Sequence, residues 1–228
     1  MSATLVVEFH SHTIYSRDSL TRPERLVETC RRRGIDRVVV TDHNTIAGAL
    51  AAQKLNPERV IVGEEILTTR GEILAAFVTE AVPAGLEPRE VIHRLREQGA
   101  FISLAHPFDP LREHWSLSEV LEMIPLLDAI EVFNARALWP WANRRARDFA
   151  REYGLPGTVG SDAHAAFELG RALMTLPQFD GAEELRKAIV QARVEIRRSP
   201  LHSYFSSRYA SLHKLYFSDG AKITRSKE

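Results

Sequence analysis

Segment 5–12 reads Leu5-Val6-Val7-Glu8-Phe9-His10-Ser11-His12, an apolar run that ends in two histidines. Residues two apart on a β-strand point to the same face, so both imidazoles can be directed toward one point. Three later apolar runs end in similar clusters, namely Thr41-Asp42-His43, Leu104-Ala105-His106-Pro107 and Ser161-Asp162-Ala163-His164. Packing alone gives no reason to end several strands with imidazoles and carboxylates. The repetition predicts a multinuclear metal site, and hence hydrolytic chemistry.

Strand-like and helix-like segments alternate along most of the chain. Apolar strands are predicted at 5–9, 37–41 and 60–67, with helices at 23–33 and 45–54 between them. Strands separated by helices indicate βαβ units and a mostly parallel sheet. About seven such units favour a closed or nearly closed α/β barrel, whose polar clusters lie at the carboxyl ends of the strands. An open sheet is the alternative, but the Gly-rich phosphate loops of many open-sheet nucleotide binders are missing.

The composition fits one soluble domain. The chain has 228 residues, of which 44% are hydrophobic and 26% charged, and its formal net charge is zero. Net charge therefore gives no argument for a long nucleic acid or an anionic membrane as a partner. No signal peptide and no apolar run of about 18 residues is visible, so we expect a cytoplasmic protein. The single cysteine, Cys30, lies in a helical pattern and is expected to be a buried structural thiol.

The last part of the chain has a different character. We expect residues 1–198 to form the barrel and residues 199–228 to form a helical, basic extension packed on it. Aromatic and leucine side chains recur in this extension, and such stripes at helical spacing usually pack into a core. A dimer surface or a nucleic-acid surface is the alternative interpretation. The oligomeric state is not predicted.

Seven segments carry the polar residues of the predicted site. In chain order they are His10-Ser11-His12-Thr13, Ser16-Arg17-Asp18, Thr41-Asp42-His43-Asn44-Thr45 with Gly48, Gly63-Glu64-Glu65-Ile66, His106-Pro107-Phe108, Glu131-Val132-Phe133-Asn134 and Ser161-Asp162-Ala163-His164. Together and in this order they resemble the motifs of the polymerase and histidinol phosphatase (PHP) family. The resemblance spans roughly residues 5 to 175. It implies a distorted (β/α)7 barrel of the TIM-like type that holds two or three divalent metals, such as Mn, Fe or Zn, and hydrolyses phosphoesters.

The resemblance also implies which residues bind which metal. A first metal would be held by His10, His12, Glu65 and Asp162, and Glu65 would bridge to a second metal that is also held by His106. A third metal would be held by Asp18, His43 and His164.

Two positions depart from the pattern of many family members. Asn134 stands where many relatives have a histidine ligand of the second metal, so that site is expected to be weaker or completed by water. Asp18 replaces the histidine of some relatives, which favours a harder ion such as manganese at the third site.

The expected nucleophile is a metal-bound hydroxide, because a bound metal can lower the pKa of water to about 7. Asp42 has two interpretations, either as a carboxylate that orients an imidazole or as the cap of the following helix. Arg136 and Arg17 lie in loops that follow ligand-bearing strands and are the candidate phosphate-binding residues. Surface roles for both arginines remain open.

We therefore expect a metal-dependent phosphoesterase, either a phosphatase or a phosphodiesterase, that acts on a small phosphorylated metabolite or nucleotide. Three alternatives remain: a histidinol-phosphatase-like phosphomonoesterase, an exonuclease acting on short oligonucleotides, and a non-catalytic metal-binding module. No membrane partner is expected.

Overall fold

The computed structural model describes residues 3–112 and 115–218. Within these residues, nine strands form one sheet. The strands are β1 Thr4–Ser11, β2 Arg37–Val40, β3 Val60–Leu67, β4 Glu72–Ala76, β5 Phe101–Leu104, β6 Ala129–Asn134, β7 Gly157–Gly160, β8 Ala172–Pro177 and β9 Arg193–Ile196.

Seven α-helices connect or follow these strands in the described part of the chain. Proline at the first helical turn starts three of them, where its missing N–H is not needed. The longest barrel helix ends at Gly154, whose φ of 67° lies in the left-handed region. The helices are α1 Pro23–Arg32, α2 Ala47–Leu55, α3 Pro88–Glu97, α4 Leu117–Met123, α5 Pro140–Tyr153, α6 Ala182–Ala188 and α7 His202–Ser218.

The sheet has the order β7-β6-β5-β4-β3-β2-β1-β8-β9 and is nearly closed. Strands β1, β2 and β3 are mutually parallel, as are β5, β6 and β7. Ala163, three residues after β7, forms a parallel β-bridge with Ser11 at the end of β1. This bridge brings β7 and β1 together. The barrel-like α/β class predicted from the sequence is confirmed.

The number and direction of the strands differ from an ideal (β/α)7 arrangement. Strand β4 runs antiparallel to both β3 and β5. The connection between β3 and β4 is too short for a parallel crossover, which needs a dozen residues or more. The chain therefore turns at Arg70-Gly71 into an antiparallel hairpin. Strands β8 and β9 add an antiparallel edge beside β1 that we did not predict.

Two apolar layers hold the barrel. Val38 and Val40 of β2 belong to the layer between the sheet and the helices, together with Leu26 and Leu95. Val39, between them, belongs to a second cluster that includes Phe9 and Phe101. This alternation follows from the two-residue period of a strand, and it fixes which face of each strand packs against the helices.

Helix α7 follows β9, so the expected boundary near residue 198 falls between these two elements. The basic end of the predicted extension, from Lys222 onward, lies outside the described residues. None of the described helices is both long enough and apolar enough to cross a membrane.

Candidate metal centre

The predicted ligands converge at the carboxyl ends of the strands. His10 lies near the end of β1, Glu65 lies within β3, and His106 and Asp162 follow β5 and β7. The last two have positive φ angles of 22° and 50°, which non-glycine residues adopt rarely. Such backbone strain is typical of functional sites, because the surrounding fold must hold it. Here it turns both side chains into the centre of the barrel mouth.

The first group surrounds Asp162. Oδ1 of Asp162 lies 3.2 Å from Nε2 of His12 and 3.6 Å from Nε2 of His10. Oε2 of Glu65 lies 3.3 Å from the same nitrogen of His10 and 3.4 Å from that of His12. All four side chains are fully buried. The structure thus brings together the four residues predicted for the first metal.

The second group includes a carboxylate that we did not predict. Nε2 of His106 lies 3.0 Å from Oε1 of Glu65 and 3.4 Å from Oε2 of Glu72. Nδ1 of His43 lies 3.0 Å from Oε2 of Glu65 and 3.6 Å from Oε1 of Glu72. His43, Glu65 and Glu72 offer three ligand atoms within 4.8 Å of one another. Glu72 therefore lies where a ligand of the second metal is expected.

The third group is built on Asp18. Its Oδ2 lies 3.1 Å from Nε2 of His164 and 3.7 Å from Nε2 of His43. A group of His12, His43 and His164 also places three imidazole nitrogens within 4.8 Å of one another. The three predicted ligands of the third metal are thus neighbours, and His12 links them to the first group.

A layer of carboxylates and hydroxyls orients the histidines. Nδ1 of His10 lies 3.0 Å from Oε1 of Glu131, which leaves Nε2 directed into the site. Nδ1 of His12 lies 3.1 Å from Oγ of Ser16, which donates to Asp42 at 2.8 Å. Metal-binding histidines are commonly fixed in this way, since the second ring nitrogen determines the tautomer and the orientation.

Asp42 also accepts two hydrogen bonds from Thr13, both at 2.6 Å. The residue at the cap of α2 is Ile46, and no side chain caps that helix. A Cβ atom built on Gly48 would overlap the carboxylate of Asp42 and the hydroxyl of Thr13. Asp42 thus contacts Thr13 and Ser16, and Ser16 connects it to the ring of His12.

Asn134 is buried and close to the first group. Its Nδ2 donates to Oδ2 of Asp162 at 3.2 Å and to Oε2 of Glu131 at 3.3 Å. Its Oδ1 accepts from the backbone N–H of Arg136 at 2.9 Å. In this arrangement the amide oxygen, which would be the metal-binding atom, is directed away from the carboxylates.

The buried charges alter the protonation of the histidines. Burial and the neighbouring imidazoles of His164 and His43 lower the pKa of His12 to about 3. Burial opposes protonation of His43, but the carboxylates of Glu65 and Asp18 outweigh it and raise its pKa to about 9. The pKa values of Glu65 and Asp162 are held well below the usual range despite their burial, because cationic side chains surround both carboxylates. The centre is therefore rich in ionised carboxylates.

The donor set fits divalent metals. Imidazole nitrogen and carboxylate oxygen are the donors that zinc, iron and manganese accept in proteins. Several buried nitrogen and oxygen atoms that could bind a metal also have no hydrogen-bond partner among the described residues. Burial of such atoms costs free energy unless another group binds them. These atoms are Nε2 of His10, Oε2 of Glu65, Nδ1 of His106 and Oδ1 of Asp18.

Arg112 also reaches the centre. Its Nη2 contacts Oδ2 of Asp162, in a position that is mostly shielded from solvent. Burial disfavours the charged guanidinium, but Asp162 and Glu65 raise its pKa above the usual arginine value. A permanently charged group thus lies beside the ligand groups of Asp162 and Glu65.

A cavity of about 570 Å³ opens next to His43 and Glu72. Arg17 and Lys214 contribute cationic side chains to its wall, and Tyr15 contributes an exposed aromatic ring. One predicted phosphate-binding arginine, Arg17, therefore lies at an open surface beside the metal-ligand groups.

The other predicted phosphate-binding arginine, Arg136, is only 4% exposed. Its guanidinium donates to Glu168 at 3.4 Å and to Oγ of Ser207 at 2.7 Å. It also lies over the ring of Tyr204, 5.3 Å from the centroid. The structure thus places Arg136 between the barrel and α7.

Three residues of the centre received no role from the sequence, although Glu131 begins one of the segments of the predicted site. A weak signal in the sequence points to two of them, because Glu131 interrupts the apolar strand β6 and Glu72 begins the apolar strand β4. Arg112 carries no signal, since its position depends on the path of the loop after His106.

Comparisons with known proteins agree with this geometry. A family model described as PHP domain matches residues 8–92, and one described as PHP-associated matches residues 140–194. An uncharacterized protein of Methanocaldococcus jannaschii is 37% identical over 141 residues, which are 56% of this chain and 81% of that protein. A second one from the same organism is 35% identical over 178 residues, covering 76% of this chain and 71% of that protein.

Solved structures share the fold. A two-domain protein of Bacteroides vulgatus that contains a predicted PHP-like metal-dependent phosphoesterase has a TM-score of 0.68 at 19% identity, over 86% of this chain and 66% of that one. The lesion-specific endonuclease Q of Pyrococcus furiosus has a TM-score of 0.60 at 18% identity, over 84% of this chain and 58% of that one.

Proposed function

The chain belongs to the PHP-domain family, and on this basis we propose that it is a metal-dependent phosphoesterase acting on a small phosphorylated metabolite or nucleotide. The observation that carries the proposal is the convergence of imidazoles and carboxylates, with unsatisfied donor atoms, beside a cavity with a cationic wall. We assign His10, His12, Glu65 and Asp162 to a first metal. Glu65 and His106, now with Glu72, are assigned to a second, and Asp18, His43 and His164 to a third.

Divalent metals bound here would supply positive charge and lower the pKa of water enough for hydrolysis near neutral pH. The residues of the chain supply the positioning. Glu131 fixes the ring of His10, and the Ser16–Asp42 pair fixes the ring of His12. A rigid constellation matters because phosphoryl transfer is promoted mainly by positioning and by electrostatic stabilisation.

Arg112 is the side chain best placed to bind the substrate phosphate inside the centre. Its guanidinium has the planar geometry that pairs with phosphate oxygens, and it already contacts an anionic oxygen of Asp162. Arg17, at the rim of the cavity, is placed to meet a more distant anionic part of the substrate. Arg136 stays a candidate only if α7 moves, because its guanidinium is engaged by Glu168 and α7.

Hydrolysis of short oligonucleotides is the second candidate function. Trp139 and Trp141 are each about half exposed at the start of α5, shortly after Asn134, and exposed rings of this kind can stack on bases. The fold is also shared with an endonuclease. The zero net charge favours the small substrate instead.

A substrate panel tests the proposal. We would reconstitute the purified chain with manganese and compare phosphomonoesters, including p-nitrophenyl phosphate, with phosphodiesters and short oligonucleotides. The proposal is supported if the wild type hydrolyses small esters and Asp162→Asn does not. Asp148→Asn, at an exposed position, should keep this activity. Selective cleavage of oligonucleotides would favour the second candidate. Metal binding without turnover of any ester would indicate a non-catalytic module.

A further inference from the structure

A second cavity, of about 380 Å³, lies between the end of α1 and the β8–β9 edge of the sheet. Three arginines contribute to its wall, namely Arg33 at the end of α1, Arg171 just before β8 and Arg197 just after β9. Glu195 is the one carboxylate among the residues that line it. None of these lining residues belongs to the metal-ligand groups, so this cavity is separate from the metal centre.

The register of the sheet places two of these arginines side by side. Strands β8 and β9 pair with Leu173 opposite Glu195, and two residues outward the N–H of Arg197 donates to the carbonyl of Arg171 at 2.6 Å. Arg171 and Arg197 are therefore directly opposite each other, on the face of the sheet that also carries Leu173. Like charges in directly opposite positions destabilise a strand pair.

The third guanidinium is held at the cavity by uncharged groups. Nη1 of Arg33 donates to the backbone carbonyl of Phe167 at 3.2 Å and also to that of Leu169. Partial burial and the positive charge of Arg171 lower the pKa of Arg33 from the usual arginine value, so the two cations lie close enough to repel each other. Because a carbonyl carries no net charge, these contacts fix the guanidinium without neutralising it.

The charge of the three arginines is not balanced within the described part of the chain. None of them forms an ion pair with a carboxylate there, and Glu195 forms none either. The wall of the cavity therefore carries three cations and one anion, and its potential is positive. An anion bound in the cavity would offset the repulsion between the guanidinium groups. The planar guanidinium pairs with two oxygens of a phosphate at once, which makes phosphate a well-matched anion.

The same cavity has an apolar part. The side chain of Phe167 is 37% exposed and that of Leu173 is half-buried, and both line the cavity. Small-molecule sites commonly combine apolar walls with a few charged groups, in cavities of about 300–1,000 Å³. We propose that this cavity is an anion-binding site for a phosphorylated small molecule, whose phosphate contacts the three arginines and whose organic part contacts Phe167.

One loop connects this cavity to the metal centre. Residues 165–171, which directly follow the predicted ligand His164, supply part of the cavity wall. The N–H of Gly170 donates to Oε2 of the buried Glu8 at 2.9 Å, and Oε1 of Glu8 accepts from the N–H of Ser161 at 2.9 Å. A ligand in the cavity would therefore contact a loop that is tied at both ends to the segment carrying metal ligands.

Isothermal titration calorimetry of the full chain with inorganic phosphate tests the proposal without any measurement of turnover. The chain is titrated both loaded with manganese and after removal of metal by a chelator, so that phosphate bound through the metals is told apart. We expect one site that persists without metal and whose dissociation constant rises about tenfold or more in Arg197→Gln, because a charge-assisted contact is lost. Arg147→Gln, at an exposed position of α5, is the matched control and should bind phosphate as the wild type does. Circular dichroism should show every variant and the metal-free chain folded.

Titration of the metal-free chain with AMP tests the organic part of the ligand. AMP should bind more tightly than inorganic phosphate, and Phe167→Ala should remove this difference while leaving the binding of phosphate unchanged. Equal affinities for AMP and phosphate would overturn the phosphorylated small molecule and assign the site to free phosphate. If millimolar phosphate and AMP do not bind the metal-free chain, or if Arg197→Gln binds them as tightly as the wild type, the proposed site is wrong. Should the metal-free chain unfold, the manganese-loaded chain gives the same test, since a second phosphate bound there should be lost in Arg197→Gln.

Discussion

Nε2 of His10 and Oε2 of Glu65 lie 3.3 Å apart in the protein interior, and neither atom has a hydrogen-bond partner among the described residues. Their mutual charge attraction offsets only part of the cost of burying two polar atoms without a hydrogen bond, and a third group that binds both would satisfy them better. A divalent cation satisfies both atoms at once. This relationship links the stability of the barrel mouth to metal binding.

Removal of metal is therefore expected to destabilise the protein. A ligand present at a hundredfold excess over its dissociation constant contributes about 2.7 kcal/mol, and 1 kcal/mol corresponds to about 2–4 °C for a chain of this size. Chelation should thus lower the melting temperature by about 5–10 °C in differential scanning calorimetry, and added manganese should restore it. In His10→Ala, which lacks one ligand of the first metal, chelation should lower the melting temperature by less than in the wild type. An unchanged wild-type melting temperature would argue against a bound metal.

Glu72→Gln should lose about one equivalent of metal. The carboxylate of Glu72 lies within 3.6 Å of both His43 and His106, where a second metal would bind, and an amide is a weaker ligand than a carboxylate. Metal analysis after gel filtration measures the stoichiometry. Glu64→Gln serves as a neighbouring control, because Glu64 accepts from the backbone of Val82 and lies outside the ligand groups. Equal stoichiometry in Glu72→Gln and the wild type would remove Glu72 from the ligand set.

Arg112→Gln should lower kcat/KM by about 10- to 100-fold, since hydrogen bonds to charged groups contribute about 1.5–3 kcal/mol. Metal content should be retained if the guanidinium binds substrate and is not needed to build the site. Steady-state kinetics and metal analysis of the same preparations separate the two effects. Arg147→Gln, at an exposed position of α5, is the control and should behave as the wild type. Wild-type kinetics in Arg112→Gln would contradict a role in substrate binding.

Gly48→Ala should disturb the support of His12, because the added methyl group overlaps Asp42 and Thr13. Overpacking of this kind costs about 1–3 kcal/mol, which corresponds to a melting temperature lower by about 2–10 °C. Gly181→Ala is the control for the added methyl group: a Cβ there meets no atom within 4 Å and the extended backbone accepts any residue, so that only the preference of the α6 N-cap for glycine over alanine is lost. The melting temperatures of both variants are compared with that of the wild type. Equal decreases in the two variants would show that Asp42 and Thr13 move to accommodate the methyl group at residue 48.

The sequence was sufficient for the parts of the fold that depend on local pattern. The alternation of β2 and the polar ends of β1 and β7 follow from strand periodicity, and the structure brings these ends together. Cys30 is buried as expected, and burial raises the pKa of its thiol to about 12.

Residue positions that depend on contacts between distant parts of the chain were harder to predict from the sequence. The position of Glu72 depends on the register of the β3–β4 hairpin, in which Glu65 is paired with Leu74. The stripe on α7 was expected to pack into a core, but the helix docks through Ser203 and Ala210 instead. A periodic pattern identifies the two faces of a helix and does not say which face meets the barrel.

The central claim is that this chain hydrolyses phosphoesters with metals held by the clustered histidines and carboxylates. Metal analysis of the purified protein, combined with p-nitrophenyl phosphate turnover, tests it most directly. We predict two or three equivalents of manganese, iron or zinc and a turnover that Asp162→Ala and His10→Ala abolish together with the first metal. One equivalent or less, with no turnover after reconstitution with manganese, would contradict the account.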